Sequence, residues 1–212
     1  VDFAPISLCI TSPVVFVVSS KLGVNSIADL VTLSKQRSGG INYSSPGVGT
    51  VPHLAAELLK LRAGVNMVHV PHNGASLAVQ SVLTGAVELS SGALAPSVPL
   101  IEGGQLKGLA VSTAKRWRGL PDVPTMVEVG YTDFVADSFF ALFAPAKTPA
   151  DIVRRLADAT ATVLKRPQIA QRLYAGGMEA VAGSPESLRE RVAKEIPFWR
   201  DLAMQIGLKQ KQ

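Results

Sequence analysis

Between Asn25 and Ser112 two hydrophobic patterns take turns: short apolar runs, and stripes spaced for a helix about ten residues long. This alternation constrains the fold most, because strands separated by single helices are joined by crossovers and lie mainly parallel. Asn25 or Ser26 caps a first helix, striped by Ile27, Leu30, Val31 and Ser34 and ended by Ser38, Gly39 and Gly40. Strands are expected over 41–43, 67–70, 86–89 and 106–112, and helices over 52–62, 75–84 and 93–102. On the helix over 52–62, Leu54, Leu58 and Leu61 form the stripe, with Glu57 and Lys60 placed to pair. The fold class is α/β.

The pattern changes near residue 138. A proline-bearing irregular stretch over 116–130 is followed by an apolar run over 138–144, expected as a buried strand ended by Pro145. Thr148, Pro149 and Asp151 then suit a helix start, with Thr148 as cap, running to about Lys165. Ser184, Pro185 and Glu186 open a last helix, with a kink expected at Pro197. Almost pure helix therefore follows residue 138, with few strands for those helices to cover.

A chain of 212 residues, 47% hydrophobic and 17% charged, holds enough apolar side chains for a substantial core. Its apolar runs are far shorter than the roughly 20 residues of a membrane span, so a soluble chain is expected. The net charge of +5 raises the question of nucleic acid. The bases are scattered, however, as Lys115-Arg116 with Arg118, Arg154-Arg155, Lys165-Arg166, and Lys209 with Lys211. Aromatics do not alternate with them, so no nucleic-acid partner is expected. Cys9 is the one cysteine and reads as a buried, inert thiol. The first residue is Val, with no secretory pattern after it, and is taken as the product of processing or cutting.

Two strand-to-helix junctions carry the chemistry. At the first, Ser44-Ser45-Pro46-Gly47-Val48-Gly49-Thr50 lies where open parallel sheets bind ligands. Unpaired N–H groups at a helix start favour an anion by roughly 0.3–1 kcal/mol. Gly47 and Gly49 permit close approach, and Ser45 and Thr50 add hydroxyl donors. No lysine follows the second glycine, so this is no nucleotide P-loop, and a single carboxylate fits the donor set better than a triphosphate. The competing reading is a capped turn without a ligand. At the second junction, His72, Asn73, Gly74 and Ala75 again place an amide and a bare backbone before a helix. Two such junctions on neighbouring parallel strands would point the same way.

His69 reads as a structural histidine, His53 as making a local hydrogen bond, and His72 as either an anion donor or a solvated side chain. No catalytic or metal-binding signature is present, and Glu57, Glu88 and Asp137 read as solvated or capping carboxylates. Binding is favoured over catalysis; no enzyme activity, metal or cofactor is expected.

Taken in order, "NYSSPGVGTVPHLAAELL", "VHVPHNGAS", "GQLKGLAVSTAKRWRGLPDVPTMVEVG" and "FFALFAPAKTPADIV" resemble the solute receptors of tripartite tricarboxylate transporters, the Bug-type receptors. The most specific part is the block Arg118-Gly119-Leu120-Pro121-Asp122-Val123-Pro124-Thr125. The resemblance implies a periplasmic-binding-protein type II-like fold, closing around a small carboxylated solute and presenting it to membrane permease subunits. It implies a complete ligand-binding lobe over 14–137, a remnant of the other lobe over 1–13 and 138–212, and a missing N-terminal part of that lobe. It places Ser45, Gly47, Gly49 and Thr50 in an anion-binding loop and Asn73, Gly74 and Ala75 in a second pocket loop.

Three positions depart from the family pattern. His72 stands where an aromatic is common, Asn73 where a basic or small residue is common, and Gly92 near an acidic or amide position. Gly92 cannot read an ammonium group, so a plain mono- or dicarboxylate is favoured over an amino acid. An incomplete lobe would expose apolar faces, and the expected consequence is self-association or rearrangement of the C-terminal helices. Affinity in this chain alone is expected to be weak or undetectable. The alternatives are a small α/β enzyme using loop 44–50 as an oxyanion or phosphate site, and an interaction module that keeps the lobe without transport.

Overall fold

The apolar run Val14–Val18 has no alternation at all, and in the computed structural model, which describes residues 2–208, every one of these side chains is buried. Both faces of this strand segment are covered, which is what a continuous hydrophobic run demands. The described chain folds into two compact units, residues 13–137 and residues 2–12 with 138–208. The basic tail residues Lys209 and Lys211 lie outside the described residues.

Within 13–137 the sheet order is β3-β2-β4-β1-β5, built from β1 (Phe3–Ser19), β2 (Ile41–Ser45), β3 (Met67–Pro71), β4 (Leu89–Ala93) and β5 (Leu106–Val111). β2 pairs parallel with β3 and β4, while β1 lies antiparallel between β4 and β5. Four strands therefore point one way and β1 runs against them, a mixed, mostly parallel sheet. The helices of this unit are α1 (Ile27–Gln36), α2 (Val51–Ala63), α3 (Ala75–Leu83) and α4 (Leu94–Glu102).

Local chemistry sets these boundaries. Ser26 Oγ accepts the Asp29 N–H at 3.0 Å while the Asp29 carboxylate accepts the Asn25 N–H, a reciprocal cap at the start of α1. Gly40 has φ +75°, and a Cβ there would lie 2.0 Å from the Asn66 carbonyl oxygen, so only glycine fits. On α2 every residue from Pro52 to Leu59 is buried, and left-handed Gly64 (φ +60°) ends the helix.

The fourth strand differs from expectation. The sequence pointed to 86–89, but β4 is Leu89–Ala93, because Ser90 and Ser91 are buried under helices despite their loop-like composition. Ser91 Oγ reaches the Pro52 carbonyl at 2.7 Å, a side-chain bond that lets a hydroxyl sit in the core. The 116–130 stretch is irregular and tied by Arg116, which bonds Glu128 at 2.9 Å and the Pro121 carbonyl.

In the other unit, the first half of β1 pairs with β6 (Asp137–Pro145) and β7 (Glu179–Ala180), accompanied by α5 (Ala150–Leu164), α6 (Pro167–Ala175) and α7 (Pro185–Gln205). Thr148 is not a cap: α5 begins at Ala150 with Pro149 in the cap position and no side-chain bond there. α7 carries the expected Ser184 cap and continues through Pro197. β6 is not the buried strand expected, since Phe140, Leu142 and Phe143 are exposed. Cys9 is half-buried, its thiol turned to the Ser7 carbonyl. Among the described residues no helix is long and apolar enough to cross a membrane.

Candidate functional site

The β2–α2 and β3–α3 junctions lie side by side. Their parent strands are parallel and in register, Tyr43 beside His69 and Ser45 beside Pro71. Past the strand ends two backbone bonds join the loops: His72 N–H to the Ser45 carbonyl at 3.0 Å and Gly74 N–H to the Pro46 carbonyl at 3.1 Å. Both helices start there, α2 at Val51 after the cap residue Thr50, and α3 at Ala75 after Gly74. The first-turn amides of Val51, His53, Ala75, Ser76 and Leu77 have no acceptor within their own helices. Two positive helix ends are thus brought together.

The loop uses many of its own donors. Thr50 Oγ1 does not cap α2; it donates to the Gly47 carbonyl at 2.7 Å. The Gly47 N–H donates to Ser45 Oγ at 3.3 Å, and the Gly49 N–H to His53 Nδ1 at 3.1 Å. Both hydroxyl groups have partners inside the loop: in this conformation the Thr50 proton is committed to the Gly47 carbonyl, and Ser45 Oγ lies 3.2 Å from the same oxygen. Gly47 and Gly49, at φ +152° and +78°, are what let the chain turn back on itself.

Beneath the loop lies an aromatic cluster. The Tyr43, His69 and His53 rings are nearly parallel, with centroids 4.8 Å apart for Tyr43 and His69 and 4.1 Å for His53 and His69. The Tyr43 hydroxyl donates to Glu57 at 2.6 Å, and Lys60 pairs with the same carboxylate at 3.2 Å. Glu57 is only 6% exposed, so it is a buried, doubly bonded carboxylate rather than a solvated one. Burial, reinforced by Glu57, raises the Tyr43 pKa. Burial also lowers the His53 pKa, against a smaller opposite pull from Glu57. His69 is lowered to about 4, first by burial and then by the neighbouring His53. Both rings are neutral at pH 7.

Ser45 Oγ lies 2.7 Å from His69 Nε2, a spacing that resembles an activated nucleophile. The surroundings argue otherwise. Ser45 is 0% exposed, His69 is a weak base, and among the described residues no carboxylate is bonded to its Nδ1. The contact holds the loop.

Of the residues singled out from sequence, Ser45, Gly47, Gly49 and Thr50 share the first loop, and His72, Asn73, Gly74 and Ala75 the adjoining one. Asn73 is exposed, whereas His72 Nε2 is buried with no hydrogen-bond partner in the protein. His53 makes the local bond expected of it, and Glu88 bonds the Asn42 N–H and Arg37. Gly92, on β4, has only Ser90 Oγ near the place of its missing side chain. Sequence reasoning weighed His53, Glu57 and His69 one at a time, did not single out Tyr43, and missed the cluster. The signal that could have found it is that Tyr43 and His69 sit mid-strand on adjacent parallel strands. Among the described residues no group of His, Cys, Asp and Glu is arranged to hold a metal ion.

Comparison with known proteins identifies the family. The family described as "Tripartite tricarboxylate transporter family receptor" matches residues 1–208. Protein BugT of Bordetella pertussis is 31% identical over 210 residues, 99% of this chain and 64% of BugT. The chain thus spans under two thirds of that relative's length. A solved structure of R. palustris Rpa4515 with adipate is 34% identical with TM-score 0.84, covering 97% of this chain and 69% of that one. MatC from Rhodopseudomonas palustris with bound malate is 26% identical with TM-score 0.81, covering 94% and 69%.

Proposed function

Because the chain belongs to the tripartite tricarboxylate transporter receptor family, we propose that it is part of a periplasmic solute-binding receptor that takes up a small carboxylate and delivers it to membrane permease subunits. The observation that supports this reading is the pair of hydrogen-bonded loops setting the N-termini of α2 and α3 side by side. A carboxylate there would accept from first-turn amides that have no intrahelical acceptor, in the field of two helix ends. The binding residues on this reading are Ser45, Gly47, Gly49 and Thr50 with His72, Asn73, Gly74 and Ala75. Gly47 and Gly49 shape the turn, and His72 offers a buried nitrogen without a partner. Adipate and malate, seen with the R. palustris proteins, are the first ligands to try. Release into a permease requires no chemistry, and the Ser45–His69 pair is too buried for a nucleophile.

Titration calorimetry with adipate, malate and uncharged 1,6-hexanediol tests the proposal. Two helix ends, each worth about 0.3–1 kcal/mol to an anion, supply far less than the roughly 8 kcal/mol of a 1 μM site, so the dissociation constant should lie above about 1 μM. Adipate or malate should still bind at least about tenfold more tightly than the diol, a difference of roughly 1.4 kcal/mol. Equal binding of all three would overturn the carboxylate reading.

A further inference from the structure

The Gly49 amide is held by a group that can accept it in only one protonation state. His53 Nδ1 takes that N–H at 3.1 Å, which requires the ring to carry its single proton on Nε2. We propose that His53 is a proton-sensitive latch on the ligand loop: neutral, it holds the Gly49 amide and fixes the turn; protonated, it releases that amide. His53 is therefore a positioning residue for the site. The consequence for binding rests on the receptor reading above; the latch itself does not.

Three features of the fold support the latch. His53 is in the first turn of α2, where the helix end opposes a positive charge and favours the accepting, neutral ring. It is also 5% exposed, so a protonated ring facing the Gly49 N–H could not turn to water without moving the loop. Finally, His69 packs against it at 4.1 Å between centroids and holds the other glycine indirectly. His69 Nε2 contacts Ser45 Oγ at 2.7 Å, and Ser45 Oγ accepts the Gly47 N–H.

The two histidines respond differently to acid. A His69 ring with both nitrogens protonated still donates to Ser45 Oγ, whose own proton turns to the Gly47 carbonyl 3.2 Å away. His53 has no such second arrangement, because its bond to Gly49 needs a lone pair. The charged and titratable groups facing the pair are Tyr43 on β2, Glu57 and Lys60 on α2, and His72 beyond β3. Glu57 draws a proton to the rings, while Lys60, His72 and the neighbouring ring oppose it. At their separation, one protonated ring resists protonation of the other. Opening therefore belongs to acid, below the ordinary histidine range.

Nuclear magnetic resonance on the whole chain tests the latch without any ligand. The His53 ring nitrogens should report the Nε2–H tautomer. From about pH 7.5 to about pH 4 the Gly49 amide proton shift should titrate with the His53 ring. An Asn side chain places its oxygen where Nδ1 stands, whereas Gln places it near Nε2. His53→Asn should accordingly keep the Gly49 shift and abolish its titration, and His53→Gln should move it to a free-amide value at every pH. A second readout uses adipate at pH 7.5. Asn should hold affinity within about twofold, and Gln should weaken it about tenfold, the worth of one lost hydrogen bond. An Nδ1–H tautomer, or a Gly49 shift indifferent to both the ring and the substitutions, would overturn the latch. Should adipate and hexanediol bind every variant equally while Gly49 still follows His53, the latch stands and the receptor reading falls.

Discussion

Residues 13–137 bury nearly every apolar stripe they contain, and residues 2–12 with 138–208 bury few. In the first unit α2 hides a run of eight residues from Pro52 to Leu59. In the second, α5 repeats apolar side chains at helical spacing yet leaves Ile152, Leu156 and Val163 at 37%, 44% and 43% exposure, and α5 and α6 bury none. Among the described residues of this unit only Ile6, Leu8, Ala144, Leu188 and Leu202 are buried apolar side chains. The difference shows that an amphipathic stripe states a requirement for a partner surface and does not supply one. The candidate loops are rooted in the unit whose apolar side chains are mostly covered.

The sharpest way to break this contrast is to empty the denser core. Phe16 is 0% exposed and packs edge-to-face on Phe134 with centroids 6.1 Å apart. Phe16→Ala should cost about 3–5 kcal/mol, through lost burial and the cavity left behind, measured by urea unfolding. A loss below ~1 kcal/mol would mean that 13–137 is packed no better than its neighbour.

Buried polar bonds come next. Tyr43→Phe removes the hydroxyl that donates to Glu57 and leaves that buried carboxylate to Lys60 alone, at an expected cost of about 1–3 kcal/mol. Its counterpart in the other unit is Arg191–Glu195, a partly exposed pair at 2.7 Å and i,i+4 spacing. Glu195→Gln should cost only about 0.3–0.5 kcal/mol. Equal losses in the same unfolding assay would erase the distinction between the two environments.

Acid should also act on one unit more than the other, since His53, His69 and His72 all lie within 13–137. His69 is depressed from 6.5 to about 4 in the folded chain. The unfolded chain then binds the extra proton first, so stability is full above about pH 6.5 and declines as pH falls toward about 4. Allowing for the partial solvent access of the ring, the loss is about 1–2 kcal/mol. His69→Gln should flatten that decline, and an unchanged slope would place the acid sensitivity elsewhere.

The same contrast explains what was legible in the sequence. The alternation from Asn25 to Ser112, the glycine stops and the Ser26 cap are local signals, and local hydrogen bonds settle them. The adjacency of the two candidate loops also followed from chain order, because parallel neighbours put equivalent junctions at one sheet edge. The strand Leu89–Ala93 was hidden because Ser90, Ser91 and Gly92 look like a loop until a helix covers them. The Tyr43, His53, Glu57 and His69 cluster was hidden because it draws on three elements, and no single window contains it. Nor could composition reveal that the glycine amides are already bonded within the loop.

A change in stability no larger than that of Glu195→Gln is expected on the exposed side. Phe140 is 55% exposed on β6, beside exposed Leu142 and Phe143. With little burial to lose, Phe140→Ser should alter unfolding free energy by no more than about 0.5 kcal/mol. Its effect should appear in association instead. A row of exposed apolar residues along a strand invites a second copy of the chain, and a hydroxyl there weakens that contact. Sedimentation velocity should show concentration-dependent self-association of the parent chain and less of it for the variant. A destabilisation near that of Phe16→Ala, with unchanged sedimentation, would mean that this strand belongs to a core of its own, and the contrast between the two units would fail there first.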